Sequence, residues 1–316
     1  MINRELIRIK IVQLTYAYYQ NGNKNIDAAE KELFFSLSKA YDLYNQLLAL
    51  IVALTKESER RLDILRAKAR REVTPEPSAK FSLNRFALQL GSNKQLNEFL
   101  STQKLSWADE PEFVGRLLTQ IEQSQPYKEY VDAPVDDYAA DRELWRRLYR
   151  LLIQDNADLD ALLEEKSLYW NDDKEVVDTF VLKTIKRFDE KSGARQELLN
   201  EYDSEEEADY ARKLFRATIL NAEEYQRYMS DASRNWDFSR LAYMDVIIMQ
   251  IAIAEMMTFP TIPISVTINE FVELAKVYST PRSFGYINGM LDAIARHLIK
   301  VGRLMKHIDS RPEVQP

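Results

Sequence analysis

The sequence contains no cysteine and only two histidines, His297 and His307. Without cysteine there are no disulfides, no thiolate nucleophiles and no cysteine-based zinc sites. The two histidines lack the His-Glu-x-x-His spacing of a helical zinc site, and the chain has no glycine-rich phosphate-binding loop. We therefore expect no metal, no cofactor and no enzymatic activity.

Glycine and proline are also scarce, with 7 and 10 residues in a chain of 316. A β fold usually needs more of these two residues for its turns, and no segment shows the two-residue alternation of a half-buried strand. Long stretches consist instead of Leu, Ala, Glu, Lys, Gln and Arg, which are strong helix formers. The sequence predicts an all-α protein.

Long hydrophobic runs are missing. The most apolar segment, 241–259, is interrupted by Asp245, Gln250 and Glu255, and the N-terminus lacks the apolar core of a signal peptide. We expect a cytoplasmic protein without membrane association. A net charge of −7 argues against a protein that coats nucleic acid through bulk electrostatics. A local basic site remains open, because residues 1–24 hold four bases and one acid: Arg4, Glu5, Arg8, Lys10 and Lys24.

Residues 265–300 predict two helices joined by a proline-containing corner. Thr267 and Glu270 have the spacing of a capping box, which predicts that the first helix starts at Thr267. The second helix is expected to begin around Pro281 and to end at Gly302. Apolar residues recur every three or four positions in the first helix: Ile268, Phe271, Val272 and Ala275.

Helices are also expected along the rest of the chain. A proline-containing linker is expected at 72–80. The basic run at 66–71 could hold phosphate, although the sequence favours a role in completing a helix C-terminus. The other expected helices are 3–20, 25–71 with a break near Lys39, 93–102, 111–124, 140–166, 173–190, and two from 206 onward with a break near Arg234 to Asp237.

Several segments resemble the NusB family of bacterial transcription antitermination factors. At the N-terminus the resemblance lies in Arg8 and in Val12-Gln13 followed by Tyr16. In the C-terminal half it lies in Met249 to Met256, which includes Glu255, in Ile268-Asn269-Glu270, in Glu273-Leu274-Ala275-Lys276 and in Tyr286-Ile287-Asn288-Gly289-Met290-Leu291-Asp292.

The resemblance implies the family fold of two packed three-helix bundles, here with additional inserted helices. It divides the chain into N-terminal helical bundle elements (1–75), an inserted helical region of unknown role (76–205), a C-terminal NusB-like region (206–302) and a polar, disordered tail (303–316). An insertion between helices is thermodynamically inexpensive when its apolar faces are buried.

The resemblance also implies a function without enzymatic chemistry. Family members act with the ribosomal protein NusE, bind single-stranded boxA sequences in nascent ribosomal RNA, and suppress termination by RNA polymerase. They also self-associate through the RNA-binding surface, so a homodimer is an open alternative. The resemblance implies that Asp245 lies at the partner surface and that five residues contact RNA: Arg4, Arg8, Tyr16, Arg282 and Tyr286.

Other interpretations remain open from the sequence. Arg4 and Arg8 could form a solvated helix edge, and Tyr286 could pack on Phe284. Gln250 stands where the family has a basic residue, and the chain as a whole is acidic. These features favour an alternative in which the protein is a helical protein-binding scaffold with weak or lost RNA binding. A fusion to an RNA-modifying enzyme is disfavoured, because no nucleotide-binding loop or catalytic cysteine follows the matched region.

Overall fold

A computed structural model describes residues 1–22, 25–170, 172–202, 204–233 and 242–306. The all-α prediction is confirmed: the described residues form helices and no strand, with one isolated bridge between Ile2 and Tyr202. The predicted break near Arg234 to Asp237 lies outside the described residues, as do His307 and the tail beyond it.

The chain begins with helix α1 (Arg4–Gln20) and the long helix α2 (Ile26–Glu72). The helices of the middle region are α3 (Arg85–Gly91), α4 (Lys94–Thr102), α5 (Pro111–Gln123), α6 (Gln125–Asp132), α7 (Tyr138–Leu148), a π-helical turn (Tyr149–Ile153), α8 (Ala157–Lys166) and α9 (Lys174–Arg187). The helices described after residue 204 are α10 (Glu205–Leu220), α11 (Ala222–Ala232), α12 (Tyr243–Thr258), α13 (Ile264–Tyr278) and α14 (Ser283–Lys300).

Two compact units divide the chain. Unit 1 contains Met1 and residues 38–201, and unit 2 contains residues 2–37 and the described residues from 202 onward. Unit 1 starts well before the predicted insertion boundary at residue 76, because α2 from Ser38 onward packs with the middle region. The helix itself is continuous and has no break near Lys39. The boundaries inferred from the resemblance stay a prediction.

Side chains of α2 bind it to the rest of unit 1. The hydroxyl of Tyr44 lies 2.7 Å from that of Thr184 on α9, and the indole of Trp107 donates to the Gln46 carbonyl at 2.8 Å. Residues Leu43, Leu47, Leu50, Ile51 and Leu54 of the same helix are fully buried. Unit 1 therefore has its own apolar core.

Helix α12 is the central element of unit 2. It packs against α1, α10, α11, α13 and α14, and all its residues from Ile247 to Met256 are buried. A helix that is apolar on all sides is stable only when other helices surround it. Unit 2 is therefore a group of helices arranged around α12.

The start of α13 differs from the prediction. The helix begins at Ile264, one turn before Thr267, so Thr267 and Glu270 are not its capping box. The predicted end of α14 at Gly302 is confirmed: Gly302 adopts a positive φ of 70°, and the amide of the following Arg303 returns to the Leu298 carbonyl at 2.8 Å.

Candidate nucleic-acid interface

A buried ion pair joins α1 to α12 and α13. The guanidinium of Arg8 donates to Glu255 from Nε at 2.7 Å and from Nη2 at 3.2 Å, and its Nη1 donates to Glu270 at 2.9 Å. Glu255 is fully buried and also accepts hydrogen bonds from Thr267, at 2.7 Å, and from the hydroxyl of Tyr210. The carboxylate of Glu255 thus holds four elements of unit 2 together.

This placement changes the interpretation of Arg8. Its side chain is buried, and two carboxylates occupy its guanidinium, so the placement argues against the predicted contact with an RNA phosphate. Burial disfavours the charge, but the hydrogen bonds and charge of Glu255 outweigh that effect and raise the pKa of Arg8. Thr267 and Glu270, predicted to cap a helix, bind this network instead. The structure gives Arg8 a role in packing.

Arg4 lies one turn before Arg8 and is half-buried. Its guanidinium carbon is 5.2 Å from the ring centre of Tyr210, a cation–π distance. Tyr16 lies twelve residues further along α1, which corresponds to about 18 Å of helix axis. Arg4 and Tyr16 therefore belong to different parts of the surface.

Tyr16 contributes to an exposed aromatic pair. It is 40% exposed, and its ring centre lies 5.9 Å from that of Tyr243, which is 46% exposed and opens α12. The two rings meet edge to face at an interplanar angle of 64°. Partial burial, followed by the proximity of Tyr16, raises the pKa of Tyr243. The pair offers aromatic surface on which an unstacked base could lie.

Asp245, two residues after Tyr243, stabilises the corner between α13 and α14. Its buried carboxylate accepts hydrogen bonds from Ser279 and, at 2.8 Å, from Ser283. Burial, and then the charge of Asp245, raise the pKa of the half-buried Tyr286 on the first turn of α14. Asp245 therefore acts from below the surface, where it holds the corner and the helix that carries Tyr286.

Cations lie at the same corner. Arg282 is exposed immediately before α14, and the ammonium of Lys276 lies 5.7 Å from the ring centre of Phe284. Gln13 on α1 donates to the hydroxyl of Tyr278 at 3.1 Å and so links α1 to this end of α13.

The start of α12 thus connects four of the six predicted residues: Tyr243 contacts Tyr16, and Asp245 binds the corner that carries Arg282 and Tyr286. We refer to the surface formed by Tyr16, Tyr243, Lys276, Arg282 and Tyr286 as the corner surface.

Sequence reasoning missed Tyr243. The signal was weak, because Tyr243 opens an almost uniformly apolar segment in which no periodic stripe distinguishes exposed from buried positions. Its contact with Tyr16 also crosses between two helices that are far apart in sequence.

Gln250, where the resemblance implies a basic residue in the family, is part of the core. Its amide donates to the hydroxyl of Tyr19 and to the Thr218 carbonyl, both at 2.8 Å, and accepts from Gln226 at 3.3 Å. The substitution is therefore accommodated by three hydrogen bonds.

Metal and membrane features are not found in the described ranges. No group of three or more His, Asp or Glu side chains among these residues could hold a metal ion. Likewise, no helix in the described part of the chain is long and apolar enough to cross a bilayer.

The family model that matches the chain is that of the NusB family, over residues 174–296. Relatives are named transcription antitermination protein NusB. The protein from Salinibacter ruber is 39% identical over 98 residues, which is 31% of this chain and 61% of that protein. The one from Natranaerobius thermophilus is 42% identical over 91 residues, 29% of this chain and 66% of that protein. The one from Chloroherpeton thalassium is 37% identical over 98 residues, 31% of this chain and 46% of that protein.

The chain thus spans between 46% and 66% of the length of these curated relatives. No solved structure matches it. The family match includes α9 to α13 and most of α14, the region that supplies Glu255, Asp245 and the corner between α13 and α14. Residues 174–296 of this all-α chain are therefore a NusB-family domain.

Proposed function

We propose that this protein is an RNA-binding transcription antitermination factor, and that the corner surface binds the RNA. The relatives that match the C-terminal region are named as transcription antitermination proteins. The observation that carries the proposal is the exposed pair of Tyr16 and Tyr243, in which aromatic rings from two helices meet at the surface.

The chemistry of this surface suits single-stranded RNA. Splayed bases stack on aromatic rings, and each stack contributes about 1–3 kcal/mol as measured by alanine substitution. Tyr16 and Tyr243 supply the stacking surface, and Tyr286 lies on the first turn of α14. Arg282 supplies a charge for phosphates, and Lys276 can supply a second when it exchanges its ion pair with Glu273, at 2.6 Å, for a phosphate. Asp245 contributes by fixing the corner rather than by touching RNA.

As the specific ligand we propose boxA-like single-stranded RNA of ribosomal transcripts, bound together with ribosomal protein NusE. Through this complex the protein would act on the RNA polymerase elongation complex. Arg4 lies apart from the corner surface, and we propose that it makes at most a peripheral phosphate contact. A homodimer that covers the corner surface would compete with RNA.

The test compares Tyr16→Ala and Tyr243→Ala with a matched tyrosine variant, Tyr228→Ala, on α11. Binding to a labelled boxA-like RNA is measured by fluorescence anisotropy, with and without NusE, at two salt concentrations. We expect each corner variant to weaken binding by roughly 5- to 150-fold, the range that one lost stack predicts. The control should bind like the wild type, and binding should fall with salt because phosphates are contacted.

Two results would contradict the proposal. Equal RNA affinity of wild type and both corner variants would remove the corner surface as the site. Binding of NusE without any RNA binding, at either salt concentration, would favour the alternative of a protein-binding scaffold.

A further inference from the structure

A basic groove lies in unit 1, between α7 with its π-helical turn and α9. It has a volume of about 820 Å³. Its lining contains five bases and one acid: Arg142, Glu143, Arg146, Arg150, Lys183 and Lys186. Four excess positive charges in one groove contrast with the net charge of −7 of the whole chain. We call this surface the basic groove.

Three of the five cations are available to a ligand. Arg150, Lys183 and Lys186 are exposed and make no ion pair within the described residues. The other two are held by protein groups: Arg142 donates to the Phe188 carbonyl at 2.7 Å, and Arg146 binds both oxygens of Glu143, at 2.7 and 2.6 Å. These bonds from Arg146, with the charges of Arg147 and Arg150, lower the pKa of Glu143.

The cations are arranged in two rows. Arg142, Arg146 and Arg150 follow each other at intervals of four residues, so they form one row with a step of about 6 Å along the helix axis. Lys183 and Lys186 form the second row on α9. Arg150 lies on the π-helical turn, an irregularity that often marks functional positions in helices. Two rows of charges along a groove suit an extended polyanion.

The rest of the lining indicates which polyanion fits. Among the described residues, the groove contains one aliphatic side chain, Leu182, and no aromatic ring. Tight protein interfaces depend on aromatic or apolar anchors in pockets, and this groove offers none. A nucleic-acid backbone needs only cations and polar groups, and Gln154 and Thr179 supply the latter.

We propose that the basic groove binds the sugar-phosphate backbone of RNA without sequence preference, as a second site separate from the corner surface. Such a site would hold RNA that flanks a specifically recognised sequence. This site does not depend on boxA recognition. The middle region of the chain would then contribute to RNA binding.

The test uses the full chain and a labelled 12-nucleotide polyuridine, which contains no boxA sequence. The groove variant is Arg150→Gln/Lys183→Gln/Lys186→Gln. The matched control, Arg116→Gln/Lys104→Gln/Lys128→Gln, removes one arginine and two lysines that are exposed elsewhere in unit 1. Both are made in a Tyr16→Ala/Tyr243→Ala background, so that the corner surface does not contribute. Circular dichroism and urea unfolding verify that both variants fold.

We expect the background protein and the control to bind polyuridine at low salt, and the groove variant to bind at least 10-fold more weakly. The slope of log affinity against log salt should fall by about 2, because three phosphate contacts at about 0.7 each are lost for single strands. Equal affinity of groove and control variants would overturn the proposal, as would no polyuridine binding by the background protein. Binding of polyglutamate but not polyuridine would assign the groove to an acidic protein and would equally overturn it.

Discussion

Arg8 carries a positive charge into the interior of unit 2, where Glu255 is its main counter-charge. Both groups are desolvated, so removing one leaves the other buried and unpaired. Breaking a buried ion pair in this way costs about 3–5 kcal/mol. Arg8 is therefore a residue whose loss would reduce RNA binding through unfolding rather than through a lost contact.

We predict that Arg8→Met lowers the free energy of unfolding by about 3–5 kcal/mol, measured by urea denaturation. Arg4→Ala, which loses a partly exposed cation–π contact, should cost no more than about 1 kcal/mol. The double variant Arg8→Met/Glu255→Gln should recover part of the loss, because no buried charge is left unpaired and Glu270, the remaining acid, is partly exposed. Equal stability of Arg8→Met and Arg4→Ala would show that the pair does not stabilise the fold.

The buried carboxyl of Asp178 in unit 1 makes the free energy of unfolding depend on pH. Burial raises its pKa from 3.8 to about 6, although Lys174, 3.0 Å away, acts in the opposite direction. The folded state then binds the proton more tightly than the unfolded state, so ionising Asp178 reduces stability as the pH rises through this window. The reduction is complete above pH 6 and amounts to on the order of 2–3 kcal/mol.

We therefore predict that Asp178→Asn removes a fall in stability between about pH 4 and pH 6. The measurement is the free energy of unfolding in urea at pH 4.5, 5.5 and 6.5 for the wild type, Asp178→Asn and the exposed control Glu175→Gln. The wild type and control should lose stability relative to Asp178→Asn as the pH rises. Parallel curves for all three proteins would contradict the raised pKa.

Among the elements, the corner between α13 and α14 depends on one buried carboxylate. Ser279 and Ser283 both donate to Asp245, and the hydroxyls of Thr280 and Ser283 are 2.7 Å apart. Without Asp245 these hydroxyls lose their acceptor, and the segment that carries Arg282 loses its anchor on α12.

We predict that Asp245→Ala increases amide hydrogen exchange at residues 279–286, because the corner opens locally more often. It should also weaken RNA binding although Asp245 is buried. Val266→Ala, at an exposed position on the same α13, serves as the control. Unchanged exchange at the corner would refute this role of Asp245.

Element boundaries were predictable where local signals decide them. The helices expected at 93–102, 111–124 and 173–190 correspond to α4, α5 and α9 within three residues. The single helix expected at 140–166 is instead α7, a π-helical turn and α8, with Asn156 capping α8 by accepting from the Leu159 amide. In the described part of the chain the two helices expected from 206 are three, because Asn221 separates α10 from α11.

The basic residues also show that local sequence signals predict only part of the structure. The run at 66–71 is conspicuous in the sequence, yet Arg66 and Arg70 approach Glu76 at 3.8 and 3.4 Å, and Lys68 approaches Glu72 at 4.0 Å. The cations of the basic groove come from the arginine-rich segment 142–150 and from Lys183 and Lys186, some thirty residues further along the chain. The charge density of either segment alone thus did not identify this groove.

At the scale of the whole molecule, unit 1 is continuous in sequence apart from Met1, and it contains its own core. A segment of this size buries about two thirds of the surface of its unfolded chain, which is sufficient for independent folding.

We predict that residues 38–201, produced alone, fold and unfold cooperatively in urea with helical circular dichroism. The ring centre of the buried Trp145 lies 5.4 Å from that of Phe81. Substituting Trp145 by alanine should abolish or greatly weaken the unfolding transition. The exposed Leu168→Ala should leave it nearly unchanged. A fragment without a cooperative transition would show that unit 1 requires the rest of the chain.

The sequence by itself determined the all-α class and the family of the C-terminal region, because helix propensity, periodicity and short spacings are local properties. It could not distinguish Arg8 as a core residue from Arg8 as an RNA ligand, because both roles need a cation at the same helix position. That choice depends on whether Glu255 and Glu270, some 250 residues away, meet its guanidinium. The pairing of Tyr16 with Tyr243 and the placement of the two rows of cations along one groove likewise arise only when separate helices pack, so tertiary structure alone decided them.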